Sequence, residues 1–182
     1  AASCLLALDR LWRTGLDTLQ LMHLGLSLGA DVPFFLGGHN AWVEGIGEQL
    51  TPVDVPECRF VVIKPSGGLE TRRIFTDPAL QRDTETAIIS GFAANPFAFG
   101  CNDLQPVAGR LLPGISEVLA WLQSQGLSGR MTGSGSAVFA PLHSGQSIQS
   151  PPPAGWHLKV CSNLDVHPLM GWAPSDGSSV AG

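Results

Sequence analysis

Two stretches of the chain hold residue types able to do chemistry. The first, GADVPFFLGGHNAWVEGIGEQLTPV at 29–53, sets Asp31 beside Ala30, Val32 and two phenylalanines. An ionised carboxylate is costly to desolvate in such company. Asp31 is either a turn or helix-terminal acid satisfied by backbone N–H groups, or a buried base aimed at a substrate hydroxyl. The second stretch is TGSGS: Thr132, Gly133, Ser134, Gly135 and Ser136. Its glycines can take positive φ as part of a tight turn into a strand. Equally, its N–H groups and hydroxyls can form a nest for a phosphate or a moving phosphoryl group. No G-K-[ST] follows it, and it does not open a helix after a strand as G-x-G-x-x-G does, so the familiar nucleotide loops do not apply.

Other candidates are weaker. His39, after Gly37 and Gly38, is either an ordinary loop histidine or a ligand contact. Glu44 and Glu48 read as solvated or turn-associated carboxylates rather than an acid/base pair. No G-x-S-x-G elbow supports a serine nucleophile. Cys4, Cys58, Cys101 and Cys161 are scattered, with no C-x-x-C pair, which argues against a zinc site or disulfide framework and for a reducing, cytoplasmic setting.

These residues need elements to position them. AASCLLALDRLW repeats leucine at helical spacing but opens on two alanines with no capping residue, as if cut from a longer chain. Asp17 is an N-cap for a second helix that Gly29 stops. NAWVEG alternates as a short strand with Ala41 and Val43 on one face, and RFVVIKPS is a more buried strand ended by Pro65. DTETAIISGFA and NDLQPVAGRLL are helical, the latter despite Pro106. PGISEVLAWLQSQG places Ile115, Val118, Leu119 and Leu122 at i, i+3, i+4 and i+7. The strand at 137–140 follows the TGSGS loop, and HLKVCS is a last strand. HSGQSIQSPPPAG, between them, is a flexible connector. Irregular alternation of helices and strands favours an α+β fold.

Composition narrows the classes. The 182 residues are 44% hydrophobic and carry a formal charge of −5 with no basic block, which argues against a nucleic-acid or anionic-membrane surface. No apolar run is long enough to span a bilayer. A few local donors can still hold a phosphate on an acidic protein.

Taken in order, GADVPFFLGGHNAWVEGIGEQLTPV, IKPSGGLETRRIFTDP, NDLQPVAGRLLPGISEVLAWL, RMTGSGSAVFA and SNLDVHPL resemble the GHMP kinases, over residues 1 to about 169. The opening stretch resembles the branch that phosphorylates a cytidine-diphosphate-linked methylerythritol in the non-mevalonate route to isoprenoid precursors. The resemblance implies an α+β GHMP kinase fold: the end of a ribosomal-protein-S5-like N-terminal domain over 1–57, a ferredoxin-like C-terminal domain over 58–170, and a flexible tail over 171–182. It implies transfer of the γ-phosphoryl of ATP, with Mg²⁺, to a small-molecule alcohol by a cytoplasmic monomer or homodimer. Asp31 occupies the family's catalytic aspartate position, paired there with a lysine that has no match in this chain. Phe75 matches an aromatic face for the cytosine ring, where a base can stack, with Thr71 and His39 at the same substrate. Arg72 departs from the smaller residues expected beside them. The TGSGS loop, 132–136, matches the third family motif and approaches the aspartate and the substrate. Ala1 and Ala2 match the last two residues of the family's phosphate loop, whose other residues have no counterpart here, so these 182 residues alone are expected to be inactive. Another GHMP small-alcohol kinase, or a non-catalytic fragment, is the alternative.

Overall fold

The computed structural model describes residues 1–172, which divide by contact into two units: Ala1–Pro56 with the chain from Leu164 onward, and Glu57–Asn163. The expected tail therefore lies outside the described residues from position 173. The segment 164–170, drawn with the second domain from sequence, makes its contacts with the first unit.

The first unit begins with α1 (Ala2–Trp12), which has no side-chain cap, and α2 (Thr18–Leu28). Asp17 caps α2 as expected: its carboxylate accepts from Gln20 N at 2.8 Å while Gln20 Oε1 accepts from Asp17 N at 2.9 Å, a reciprocal capping box. Buried Asp9 closes the turn before it, accepting from the Thr14 hydroxyl and from Leu16 N. A short third helix, α3 (Val32–Gly37), was not foreseen; Pro33 suits its first turn and Gly38, at φ +73°, ends it. It lies close against α2 because position 25 has no side chain: a Cβ there would stand 2.8 Å from both Leu36 Cδ1 and Val32 Cγ1. Leu6, Leu21 and Leu36 are buried at this junction.

The strands β1 (Ala41–Glu44) and β2 (Gln49–Pro52) form an antiparallel hairpin in the register Ala41 to Pro52 and Glu44 to Gln49. Ala41 and Val43 do not share a buried face. Burial instead follows distance from the turn, with Ala41 and Trp42 half-buried and Val43 and Glu44 exposed, since a two-stranded ribbon has little to pack on. The returning chain seals the base of the hairpin: Asn40 donates to Leu164 O, Val166 pairs with His39, and His167 N donates to Gly38 O at 2.7 Å.

The second unit is built on β3 (Arg59–Lys64), whose Val61 and Ile63 are fully buried. It is flanked by β5 (Val138–Leu142) and β6 (His157–Ser162), with β4 (Arg130–Met131) outside β5, in an all-antiparallel order β4-β5-β3-β6. Four helices accompany the sheet: α4 (Thr71–Phe75), α5 (Ile89–Ala94), α6 (Gln105–Leu111) and α7 (Gly114–Ser124). Ile115, Val118 and Leu122 of α7 are fully buried against Val138 and Ala140, and Ile74, Val107 and Ala108 complete the core. Pro106 sits in the first turn of α6, where its missing N–H is harmless. The ends of the unit are fastened together, Cys58 N donating to Asn163 Oδ1 at 2.8 Å and Asn163 N to Cys58 O at 3.2 Å. The fold is α+β.

Two expectations need correction. The helix drawn over DTETAIISGFA is limited to Ile89–Ala94, and 83–87 is irregular, as two threonines without a cap would favour. The connector HSGQSIQSPPPAG is irregular but tethered: Gln125 Oε1 accepts from Gln149 N and Ser150 N, and Ile148 packs on the core. No described helix is long and apolar enough to cross a membrane.

Candidate active site

Asp31 is exposed and stands at the N-cap of α3 without a side-chain hydrogen bond. The expectation of a buried base is thus corrected. The backbone around Asp31 buries its phenylalanine-side neighbours Pro33 and Leu36 while leaving the acid outside. The carboxylate is at a helix start, as the helix-terminal alternative has it, yet no N–H consumes it. The hairpin turn packs closely against the backbone just before Asp31. Gly47, at φ +123°, lies so near that a Cβ on it would be 2.2 Å from the Ala30 carbonyl oxygen. The turn is itself fixed by Glu48, whose carboxylate accepts from Ile46 N at 2.7 Å. Backbone N–H donors, its own and that of Ile46, hold Glu48 below the usual carboxylate range. Glu48 is therefore a turn carboxylate, as expected.

Of the other first-unit candidates, His39 is exposed and lines a small cavity of about 150 Å³ with Phe34, Phe35, Asp165 and His167. Ala1 is exposed at the head of α1, and Ala2 is buried in the core of that unit.

In the second unit the TGSGS loop joins β4 to β5. Thr132 N donates to Ala137 O and Gly135 N to Thr132 O, both at 3.0 Å, closing a tight turn. Gly135 has φ +88°, and a Cβ there would meet Met131 Sδ at 2.9 Å, so glycine is required on both counts. Ser136 is buried, whereas the Ser134 hydroxyl shares a 2.8 Å hydrogen bond with Thr71 Oγ1. The loop and α4 are thereby joined at the two residues that the sequence had singled out separately.

Phe75, at the other end of α4, is 53% exposed, so it is not a plain core phenylalanine. Arg82 donates to Phe75 O at 2.6 Å and to Leu80 O at 3.1 Å, folding the following turn under the helix. That turn is also held by Asp77, bonded to Arg110 Nη2 at 2.6 Å and to Ala79 N at 2.8 Å. The Arg110 guanidinium is the main reason that the Asp77 carboxyl sits below its ordinary range. Phe75, Arg82, Asp103, Arg130, Thr132 and Gly133 line one open cavity of about 760 Å³. Arg130 donates to the carbonyls of Phe99 and Gly100 and lies over the Phe139 ring, 5.6 Å from its centroid. An exposed ring, two guanidinium groups and a glycine-serine loop around one cavity can accept a flat base linked to phosphate.

Sequence reasoning missed the residues that hold this loop from behind. Asn102 Nδ2 donates to Met131 O and Gly133 O, each at 2.9 Å, and Gln105 Oε1 accepts from Met131 N at 2.8 Å. Both lie in NDLQP, where asparagine ahead of a helix signals a cap and says nothing of a contact 29 to 31 residues away.

Known proteins resemble this chain over most of its length. Residues 87–150 match the family model described as GHMP kinases C terminal. The chain is 63% identical over 99% of its length to the 4-diphosphocytidyl-2-C-methyl-D-erythritol kinase of Albidiferax ferrireducens, and 56% identical over 95% to that of Variovorax paradoxus. It spans 62% and 64% of the lengths of those two relatives. A solved structure of 4-(cytidine 5′-diphospho)-2C-methyl-D-erythritol kinase superposes with a TM-score of 0.62 at 34% identity, covering 78% of this chain and 54% of the other. The fold and these relatives agree in their likeness to the GHMP kinases, the family-model match falling on residues 87–150 of this chain.

Proposed function

We propose that this chain provides the acceptor-substrate pocket and the base of an ATP-dependent kinase acting on a hydroxyl of 4-diphosphocytidyl-2-C-methyl-D-erythritol. The carrying observation is the single cavity that joins Phe75 to Thr132 and Gly133; the relatives' names supply the substrate. In this reading Phe75 stacks on the cytosine ring, and the loop at 132–136 offers N–H and hydroxyl donors to the phosphates. Thr71 holds Ser134 in place through their shared hydrogen bond. His39, with its exposed ring, is a further substrate contact, and Ala1 and Ala2 lead α1 away from the ATP phosphates.

Asp31 accepts the proton of the attacking hydroxyl. The hydroxyl oxygen bonds to the γ-phosphorus as the bond to the β–γ bridging oxygen breaks and ADP departs. Proton removal is late in such transfers, so a carboxylate beside the hydroxyl serves as acceptor. No group of three or more His, Cys, Asp or Glu among the described residues is placed to hold a metal ion. In this reading Mg²⁺ would come with the ATP phosphates and neutralise charge there. In this reading both substrates are water-soluble phosphates and the reaction is assigned to the cytoplasm.

The test is Asp31→Asn, assayed for phosphoryl transfer in the full-length protein. Loss of a positioned base lowers kcat by about 10²- to 10⁴-fold. Because the side chain is exposed and unbonded, the variant melts within about 0.5 kcal/mol of the parent. Near-normal turnover in the folded variant rejects the assignment.

A further inference from the structure

We propose that Asn102 is a positioning residue that orients the Ser134 amide as a donor to a phosphate group. The inference rests on the reading of the TGSGS loop as phosphate-facing, and it assigns the orientation of that loop to a side chain outside it.

The argument starts from the peptide bond. In a trans peptide the C=O and the N–H of the same unit point in opposite directions, so whatever fixes a carbonyl also aims the following amide. The carbonyl of Gly133 and the N–H of Ser134 form one such unit. Asn102 Nδ2 holds that carbonyl at 2.9 Å, and with its other hydrogen it holds Met131 O at the same distance. Ser134 N–H is thereby directed away from Asn102, and it makes no hydrogen bond to another described residue. The preceding unit is fixed similarly, since Thr132 O accepts from Gly135 N and leaves Gly133 N–H uncommitted. Gly133 lines the open cavity, and the two consecutive uncommitted amides at 133 and 134 form an anion-binding arrangement that a glycine-serine loop permits.

Asn102 is itself well anchored. Its Oδ1 accepts from Leu104 N at 3.0 Å in an Asx turn at the entry to α6. Gln105, three residues on, adds a bond to Met131 N. An asparagine can donate twice and accept in the same geometry, and no other side chain of its size can. Aspartate in its place keeps the shape and the bond to Leu104 but sets carboxylate oxygen against two carbonyls. Serine keeps an acceptor for Leu104 and is too short to reach them.

The experiment uses the full chain, labelled for amide NMR, titrated with inorganic pyrophosphate as the probe. In the parent, the Ser134 amide resonance moves on titration. In Asn102→Ser and Asn102→Asp the apparent affinity read at that resonance falls at least about 5-fold, while the core amides of α7 keep their positions and so report an intact fold. A parent Ser134 amide that ignores pyrophosphate overturns the inference, as does an unchanged response in either folded variant. Loss of the response in the variants upholds it even if the parent transfers no phosphoryl group, in which case the kinase reading alone fails.

Discussion

Gly47 is the position at which one added methyl group should disable the proposed base without touching it. A Cβ at this residue would lie 2.2 Å from Ala30 O and 2.9 Å from Ala30 C. These are backbone atoms, so the collision cannot be relieved by rotating a side chain. Restoring ordinary contact requires the carbonyl before Asp31 to move by about 1 Å, and the φ of +123° is itself unfavourable for alanine. Strain and overpacking together cost about 2–5 kcal/mol, which lowers the melting temperature by roughly 5–20 °C for a chain of this size. Displacement of a reacting group by about 1 Å costs on the order of 10²-fold in kcat. Gly15→Ala is the control, because φ there is +71° while a Cβ meets nothing within 4 Å, so it carries backbone strain without the collision. Thermal melting and steady-state phosphoryl transfer by the full-length protein are measured for both variants. If Gly47→Ala matches Gly15→Ala in both quantities, the hairpin turn does not position Asp31 and the reasoning fails.

Phe75→Ala should raise the dissociation constant for the cytidyl substrate about 5- to 100-fold, the range expected for a lost base stack, with ATP binding unchanged; equal effects on both ligands would remove Phe75 from the base site. Leu122→Ala, at a fully buried position of α7, should destabilise the protein by about 2–5 kcal/mol in urea unfolding, and a loss below about 1 kcal/mol would mean that the helix does not anchor this core. The carboxyl of Asp77 titrates below its ordinary value of 3.8 because Arg110 favours its charged form. Its contribution is therefore complete above 3.8 and disappears as pH falls through the lowered folded value. Melting curves of parent and Asp77→Asn should differ at neutral pH and converge in strong acid, and a gap that persists unchanged in acid contradicts the pairing.

How much of this was legible in the sequence depends on the range of the forces involved. The N-cap at Asp17, the stripe of Ile115, Val118 and Leu122 and the buried strand at Arg59–Lys64 are set by neighbours within a few residues, and they appear where the pattern puts them. The helix α3 was hidden because Pro33 and the phenylalanines carry no helical period over so short a span. The exposure of Asp31 was misjudged for a related reason: apolar neighbours along the chain point elsewhere once the backbone turns. Thr71 and Ser134 were each visible as candidates, but their hydrogen bond links positions 63 residues apart. Asn102 and Gly47 were invisible as site residues because both act on backbone atoms of distant segments, and no local pattern encodes such a contact.

The fastening of Cys58 to Asn163 sets an order of assembly. To reach Gly38 and His39, the segment 164–167 must return after an excursion through residues 57–163. Closing a loop of about 100 residues from an unfolded chain costs roughly 4 kcal/mol in entropy. Once the second unit has folded, its ends already lie side by side and most of that cost has been met by its own core. The seal at the base of the first unit's hairpin therefore forms last, and any variant that melts β3 or β6 should release residues 164–172 from His39 even though no first-unit side chain has been altered.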